Sequence, residues 1–240
     1  MRVADAVGRG LAGLGVNTVF GVVGSGNFHV TNALVAGGAK FVAARHEGGA
    51  TVMADAWART TGAPGAVGIV TVHQGPGLTN AMTGIAEAAK SRTPLLVLAA
   101  EAPEVRSNFH VDVGGLAAAV GAVGMRLYSP ASALADAHRA YTTALGRRTV
   151  VLALPLNVQA AQYQPAPYQP APGEPGSVPA LGRTFPPGPA ADAVTELAGV
   201  LRAARRPVFI AGRGARGRAA ELERLADACG ALLALSLIHI

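Results

Sequence analysis

Phe41 to Ala44 is an apolar run that stops at Arg45, His46 and Glu47, and a run rich in small residues continues to Arg59. The pattern predicts a buried strand delivering a carboxylate to the first turn of a helix. Gly48 and Gly49 stand just after Glu47, and each costs about 1 kcal/mol against alanine inside a helix. A close approach by another backbone or by a ligand would account for them. Glu47 has two readings. In the structural one it satisfies the helix dipole, worth about 0.3–1 kcal/mol. In the chemical one it is a carboxylate in an apolar pocket, tuned to share a proton with a ligand.

A second group of residues could do chemistry. His73-Gln74-Gly75-Pro76-Gly77 follows an apolar run and opens a helix carrying Thr79 and Asn80. The turn reads either as a rigid strand-to-helix connection or as a glycine-rich cradle for a phosphate. The Lys-Ser/Thr of a nucleotide-binding P-loop is absent, which disfavours nucleoside triphosphate hydrolysis. His73 reads as a hydrogen-bonded structural histidine or as a site residue. His46 reads as an orienting neighbour of Glu47, and His110 lies in a polar loop. No histidine pair has metal-ligand spacing, and no G-x-S-x-G elbow occurs, so zinc and serine-hydrolase chemistry fall away. Gly212-Arg-Gly-Ala-Arg-Gly217 is a literal dinucleotide fingerprint, but the following strand ends at Leu235-Ser236 without a carboxylate. A tight turn is the preferred reading there, with an anion at the helix start as the alternative.

The elements that position these groups alternate. Helices are expected from Val3, His29, Glu47, Leu78, Pro130, Ala190 and Gly217. Strands are expected at Thr18–Val22, around Phe41, at Ala66–Val72, Leu95–Ala100, Thr149–Leu154, Arg206–Gly212 and Ala231–Leu235. Continuous apolar strands alternating with helices predict an α/β fold, a doubly wound parallel sheet covered on both faces. The ligand crevice of such a fold lies at the carboxyl ends of the strands. The Gly24–Gly26, Arg45–Glu47 and His73–Gly77 turns all fall there. Thr61–Gly65 reads as a plain loop, and Glu101–Ser129 as a looser stretch holding one glycine/alanine helix.

Residues 1–160 form the expected first domain, and a proline-rich linker is expected over 161–189. Residues 190–240 begin a second Rossmann-like α/β domain too short to bury both faces of a sheet.

Half of the 240 residues are hydrophobic and 14% are charged, so a sizeable core is expected. The net charge of +6 is carried mostly by dispersed arginines without interleaved aromatics, which argues against nucleic acid. The longest apolar runs are strand-length, so no membrane span is expected. The single cysteine, Cys229, fits a reducing, cytoplasmic setting.

Taken together, three segments resemble one family. Phe20-Gly-Val-Val-Gly-Ser-Gly26, Ala44-Arg-His-Glu-Gly-Gly-Ala50 with Met53–Arg59, and Thr71-Val-His-Gln-Gly-Pro-Gly-Leu-Thr-Asn80 resemble the pyrimidine-binding domain of thiamine-diphosphate enzymes. The resemblance is to the acetolactate synthase and benzoylformate decarboxylase group, over residues 1 to about 160. Residues 190–235 resemble that group's middle domain.

The resemblance implies that Glu47 hydrogen-bonds N1′ of the cofactor's aminopyrimidine and so promotes loss of the thiazolium C2 proton, attack on a 2-oxo acid and release of CO2. It implies cofactor contacts at Val23, Gly24, Ser25, Pro76 and Asn80, and catalytic roles for His73 and His110. It also implies magnesium and diphosphate held by a C-terminal domain outside these residues, room for FAD in the middle domain, and a homodimer or tetramer. Val23 stands where the family has proline, His110-Val111 where it has Gln-Glu, and Gln74 where the synthases have serine. These departures bear on the substrate. The expected function is thiamine-diphosphate-dependent decarboxylation or carboligation of 2-oxo acids, acetolactate-synthase-like. One alternative is a decarboxylase of the benzoylformate type. Another is a non-catalytic pairing module that needs a separate diphosphate-binding subunit.

Overall fold

The computed structural model describes residues 1–61, 66–164, 188–215 and 217–236. Most of the expected loop 61–65, most of the expected linker and the last residues of the chain lie outside them. Two units are distinguished, Met1–Phe185 and Pro186–Ile240.

The first unit alternates strands and helices: α1 (Val3–Gly13), β1 (Thr18–Gly21), α2 (Phe28–Ala36), β2 (Lys40–Ala43), α3 (Glu47–Thr60), β3 (Gly68–Val72), α4 (Pro76–Lys90), β4 (Leu95–Glu101), α5 (Val113–Ala119), β5 (Val123–Arg126), α6 (Ala133–Leu145), β6 (Thr149–Pro155) and the short α7 (Leu156–Ala160). Its six strands lie in the order β2-β1-β3-β4-β6-β5, and every pairing is parallel. Side chains alternate across each strand. Leu96 and Leu98 join a core layer with α1, α2 and α6, whereas Leu95, Val97 and Ala99 join a layer with α3, α4 and α5. That two-sided burial is why β3, β4 and β6 read as unbroken apolar runs.

Two expectations are corrected. β2 is not a buried strand: it is the sheet edge, and Lys40–Ala43 stay exposed or half-exposed in this chain. An edge strand has a neighbour on one side only, so its apolar residues lack the second half of their cover. The stretch 101–129 also contains β5, the opposite edge strand, with half-buried Val123 and Met125 alternating with exposed Gly124 and Arg126. A run of four residues broken by glycine gives almost no periodic signal.

The order of strands places the site. β1 lies between β2 and β3, so the chain leaves β1 toward one side and returns to β3 on the other. The helices that follow β1 and β3, α2 and α4, pack on opposite faces of the sheet, the switch point at which such folds place their ligands. Phe20 pairs with Val70 and Gly21 with Thr71, which sets the turns after Gly21 and Val72 side by side.

The second unit holds α8 (Ala191–Ala203), β7 (Val208–Ala211), a 3-10 turn at Arg213–Ala215, α9 (Ala219–Cys229) and β8 (Leu232–Leu235). β7 and β8 pair in parallel. Val194, Leu197, Val200, Ile210, Leu232 and Leu235 remain exposed, as expected of a two-stranded sheet with little to cover it.

Candidate active site

Glu47 is the first residue of α3, and its residue surface is 9% exposed. The preceding His46 is extended and caps the helix, its Nδ1 accepting from the Gly48 N–H at 3.1 Å. His46 thus orients the helix start. Glu47 Oε2 accepts from Asn80 Nδ2 at 3.1 Å. Oε1 has no hydrogen-bond partner among the described residues and lies beside Gly77, where an added Cβ would sit 3.5 Å from it. The carboxylate is anchored at one oxygen and open at the other.

The glycines beside Glu47 have different explanations. A Cβ on Gly48 would come 3.1 Å from His46 Nδ1 and 3.2 Å from the Asn80 carbonyl oxygen, so the close neighbours are the capping imidazole and the backbone of α4. Gly49 is exposed, with nothing within 4 Å. Pro76 and Asn80 are exposed on the first turn of α4, while Gly77 is buried. Gly75, at φ +60°, precedes that turn, and the Phe109 backbone packs against it closely enough to exclude a side chain.

His73 follows β3 and is half-buried. Its Nδ1 accepts from the Gly26 N–H at 3.1 Å, and the Phe109 ring packs edge-on at 5.5 Å. The Gly24 backbone lies on the imidazole, where a Cβ would meet Cγ and Nδ1 at 2.8 Å. Burial pushes the His73 pKa down, and the Glu47 charge pulls the other way. Gly77 lies against both residues: a Cβ there would sit 3.1 Å from His73 Cβ and 3.5 Å from Glu47 Oε1.

Val23 and Ser25 are exposed on the turn after β1, and Gly24 is half-buried. His110 stands apart from the hydrogen bonds around Glu47 and His73. Its Nδ1 bonds the Ala102 carbonyl at 3.1 Å, a contact in which the imidazole must donate. The neighbouring Phe109 makes the contacts with His73 and Gly75.

The sequence alone did not single out the buried polar layer beneath the β1 turn. Asn27 Oδ1 accepts from the Gly24 N–H at 2.7 Å, and Asn27 Nδ2 donates to the Val22 carbonyl and to Thr71 Oγ1. Thr31 Oγ1 bonds the Asn27 carbonyl and Thr71 Oγ1. Asn27 sits directly after a glycine turn and before a helix, which is the one signal that marks it.

A parallel α/β sheet with a buried glutamate and glycine turns at its switch point is an arrangement suited to holding a ligand at the carboxyl ends of the strands. The family model described as "Thiamine pyrophosphate enzyme, N-terminal TPP binding domain" matches residues 1–120, and the chain belongs to that family. Over 242 aligned residues it is 32% identical to a probable 2-ketoarginine decarboxylase from Pseudomonas aeruginosa, covering 97% of this chain and 41% of that protein. An acetolactate synthase large subunit from Mycobacterium tuberculosis is 29% identical over 216 residues, covering 88% of this chain and 38% of the relative. Among solved structures, a thiamine diphosphate-dependent 4-hydroxybenzoylformate decarboxylase from Rhodococcus jostii superposes with a TM-score of 0.81 at 23% identity. The match covers 98% of this chain and 44% of that one, and it establishes the fold. The chain thus spans less than half the length of these relatives.

Proposed function

We propose that this chain supplies the pyrimidine-binding half of a thiamine-diphosphate-dependent active site acting on 2-oxo acids, by decarboxylation and carboligation of the acetolactate-synthase-like kind. One observation carries the reading: a buried glutamate with one oxygen fixed by Asn80 and the other open beside Gly77. A carboxylate so placed can hold or accept a proton shared with a ring nitrogen. When bound, the cofactor supplies the electron sink for carbon–carbon bond cleavage.

The protein's part is position and proton control. Asn80 holds the Glu47 rotamer. Gly77, lacking a Cβ, keeps space open beside Oε1 and His73. Gly24, with Val23, Ser25 and Pro76, presents backbone and small surface for a flat ring to rest against. His73 offers a donor nitrogen near the reacting groups, which also supports the second reading, a decarboxylase of the benzoylformate type. His110 is assigned to the substrate side of the same loop cluster.

Magnesium and the diphosphate are assigned to residues beyond this chain. A flavin site in the completed middle domain stays part of the proposal. We divide the chain into residues 1–160, a linker at 161–189 and the start of a second domain at 190–240.

A homodimer or tetramer is proposed from the surface of α3. Gly49 faces open space, and the neighbouring Val52 is 55% exposed. Glycine there weakens the helix for no benefit inside this chain, whereas a second copy could approach closely. No described helix is long and apolar enough to cross a membrane, and a cytoplasmic location is our reading.

The test is calorimetric titration of the natural protein with thiamine diphosphate and magnesium, followed by CO2 release from a panel of 2-oxo acids. Cofactor binding with turnover of at least one acid is expected. Cofactor binding without turnover of any acid would favour the pairing module.

A further inference from the structure

Gly26 is held on three sides. Its N–H donates to His73 Nδ1 at 3.1 Å, and its carbonyl accepts from Gln159 Nε2, also at 3.1 Å. Gln74 occupies the space that a side chain on Gly26 would fill. Gln159 belongs to α7, is 5% exposed, and donates its second amide hydrogen to the Leu154 carbonyl at 2.8 Å. The end of β6 is therefore tied, through one carboxamide, to the turn that touches His73. A residue so distant in sequence, buried and fully used as a donor, has no role in the chemistry described above.

A neutral imidazole that accepts at Nδ1 must carry its proton at Nε2. We propose that Gln159 is a positioning residue for His73: by anchoring the Gly26 carbonyl to the end of β6, it keeps the Gly26 N–H on Nδ1 and fixes the Nε2–H tautomer. The tautomer decides what the free nitrogen can do. With Nε2–H the ring donates, and both the keto and carboxylate oxygens of a 2-oxo acid are acceptors. With the proton on Nδ1 it would present a lone pair to the same oxygens. The groups facing His73 do not fix the choice otherwise. Gly24 and Gly77 approach with backbone, Phe109 with a ring edge, and Glu47 acts through its charge without a hydrogen bond to the imidazole among the described contacts.

This inference rests on His73 belonging to the proposed site, yet its test needs no cofactor. The natural protein is labelled with ¹⁵N-histidine, and His73 is assigned from the signals lost in His73→Gln. At neutral pH the wild type should show a protonated Nε2 and an accepting Nδ1. Gln159→Met keeps the side-chain length and removes both donors. It should give tautomer-averaged His73 shifts, with the other histidines unmoved and the melting temperature lowered by only a few degrees. A wild-type Nδ1–H tautomer, or an unchanged signature in folded Gln159→Met, would overturn the proposal. Should that variant not fold, Gln159→His keeps one ring N–H for the Gly26 carbonyl. A retained signature then supports the proposal and an averaged one contradicts it. Failure of the wild type to bind thiamine diphosphate would sink the site reading while leaving the tautomer result legible.

Discussion

Asn80 Nδ2 donates to Glu47 Oε2 at 3.1 Å, joining the N-terminal parts of α3 and α4, the helices that follow the strands on either side of β1. The bond fixes which oxygen of the carboxylate remains available. Asn80→Ala should weaken thiamine diphosphate binding about five-fold, the equivalent of one hydrogen bond of roughly 1 kcal/mol. Asn80→Asp should weaken it more, because a second carboxylate beside Glu47 disfavours ionisation of both. Titration calorimetry on the two variants checks the order. Equal affinity for wild type and Asn80→Asp would contradict it.

Gly24 is a packing requirement of His73. A Cβ there would sit 2.8 Å from the imidazole Cγ and Nδ1. Gly24→Ala should destabilise the protein by about 1–3 kcal/mol, the usual cost of overpacking. Adding His73→Ala should recover part of that loss, because the two sites are in contact and their effects are not additive. Thermal melts of the single and double variants measure the coupling.

The lowered pKa of His73 has a signed consequence. Burial makes the folded protein bind this proton less readily than the unfolded chain does. The related stability is complete above the ordinary value of 6.5 and declines as pH falls below it toward the folded value. Protonation also removes the Nδ1 acceptor used by Gly26. The melting temperature should therefore drop between about pH 7 and pH 5.5, and His73→Gln should flatten part of that drop. An identical profile in the variant would remove His73 as the cause.

Gly49 tests the proposed assembly. With nothing within 4 Å, Gly49→Ala should stabilise the monomer by about 0.5–1 kcal/mol. If a second copy packs on α3, the same change should weaken association, read by sedimentation. Stabilisation with unchanged association would remove α3 from the interface.

Legibility in the sequence followed burial. β3, β4 and β6 are covered on both faces, and their apolar runs announced them. β5 is a short edge strand interrupted by Gly124, and nothing periodic marked it. β2 was legible as a strand but not as an edge, because strand order depends on pairing that a local pattern does not encode. At the site, Glu47 and His73 stood at the ends of apolar runs and could be picked out. Gln159 could not: its partners are the carbonyls of Gly26 and Leu154, and a bond to a backbone 133 residues away leaves no trace in residue type or spacing. Phe109 was passed over for the same reason. Its contacts with His73 and Gly75 arise only when the loop after β4 folds over α4's first turn.

Glu47 is proposed to drive deprotonation of the bound cofactor. This role is tested by hydrogen–deuterium exchange at the thiazolium C2 of thiamine diphosphate bound to the natural protein, wild type against Glu47→Gln. Glutamine keeps the shape and the Asn80 contact but cannot take the proton. Exchange should slow by about 100-fold or more in the variant while the cofactor still binds. Exchange at the wild-type rate with cofactor bound would contradict it.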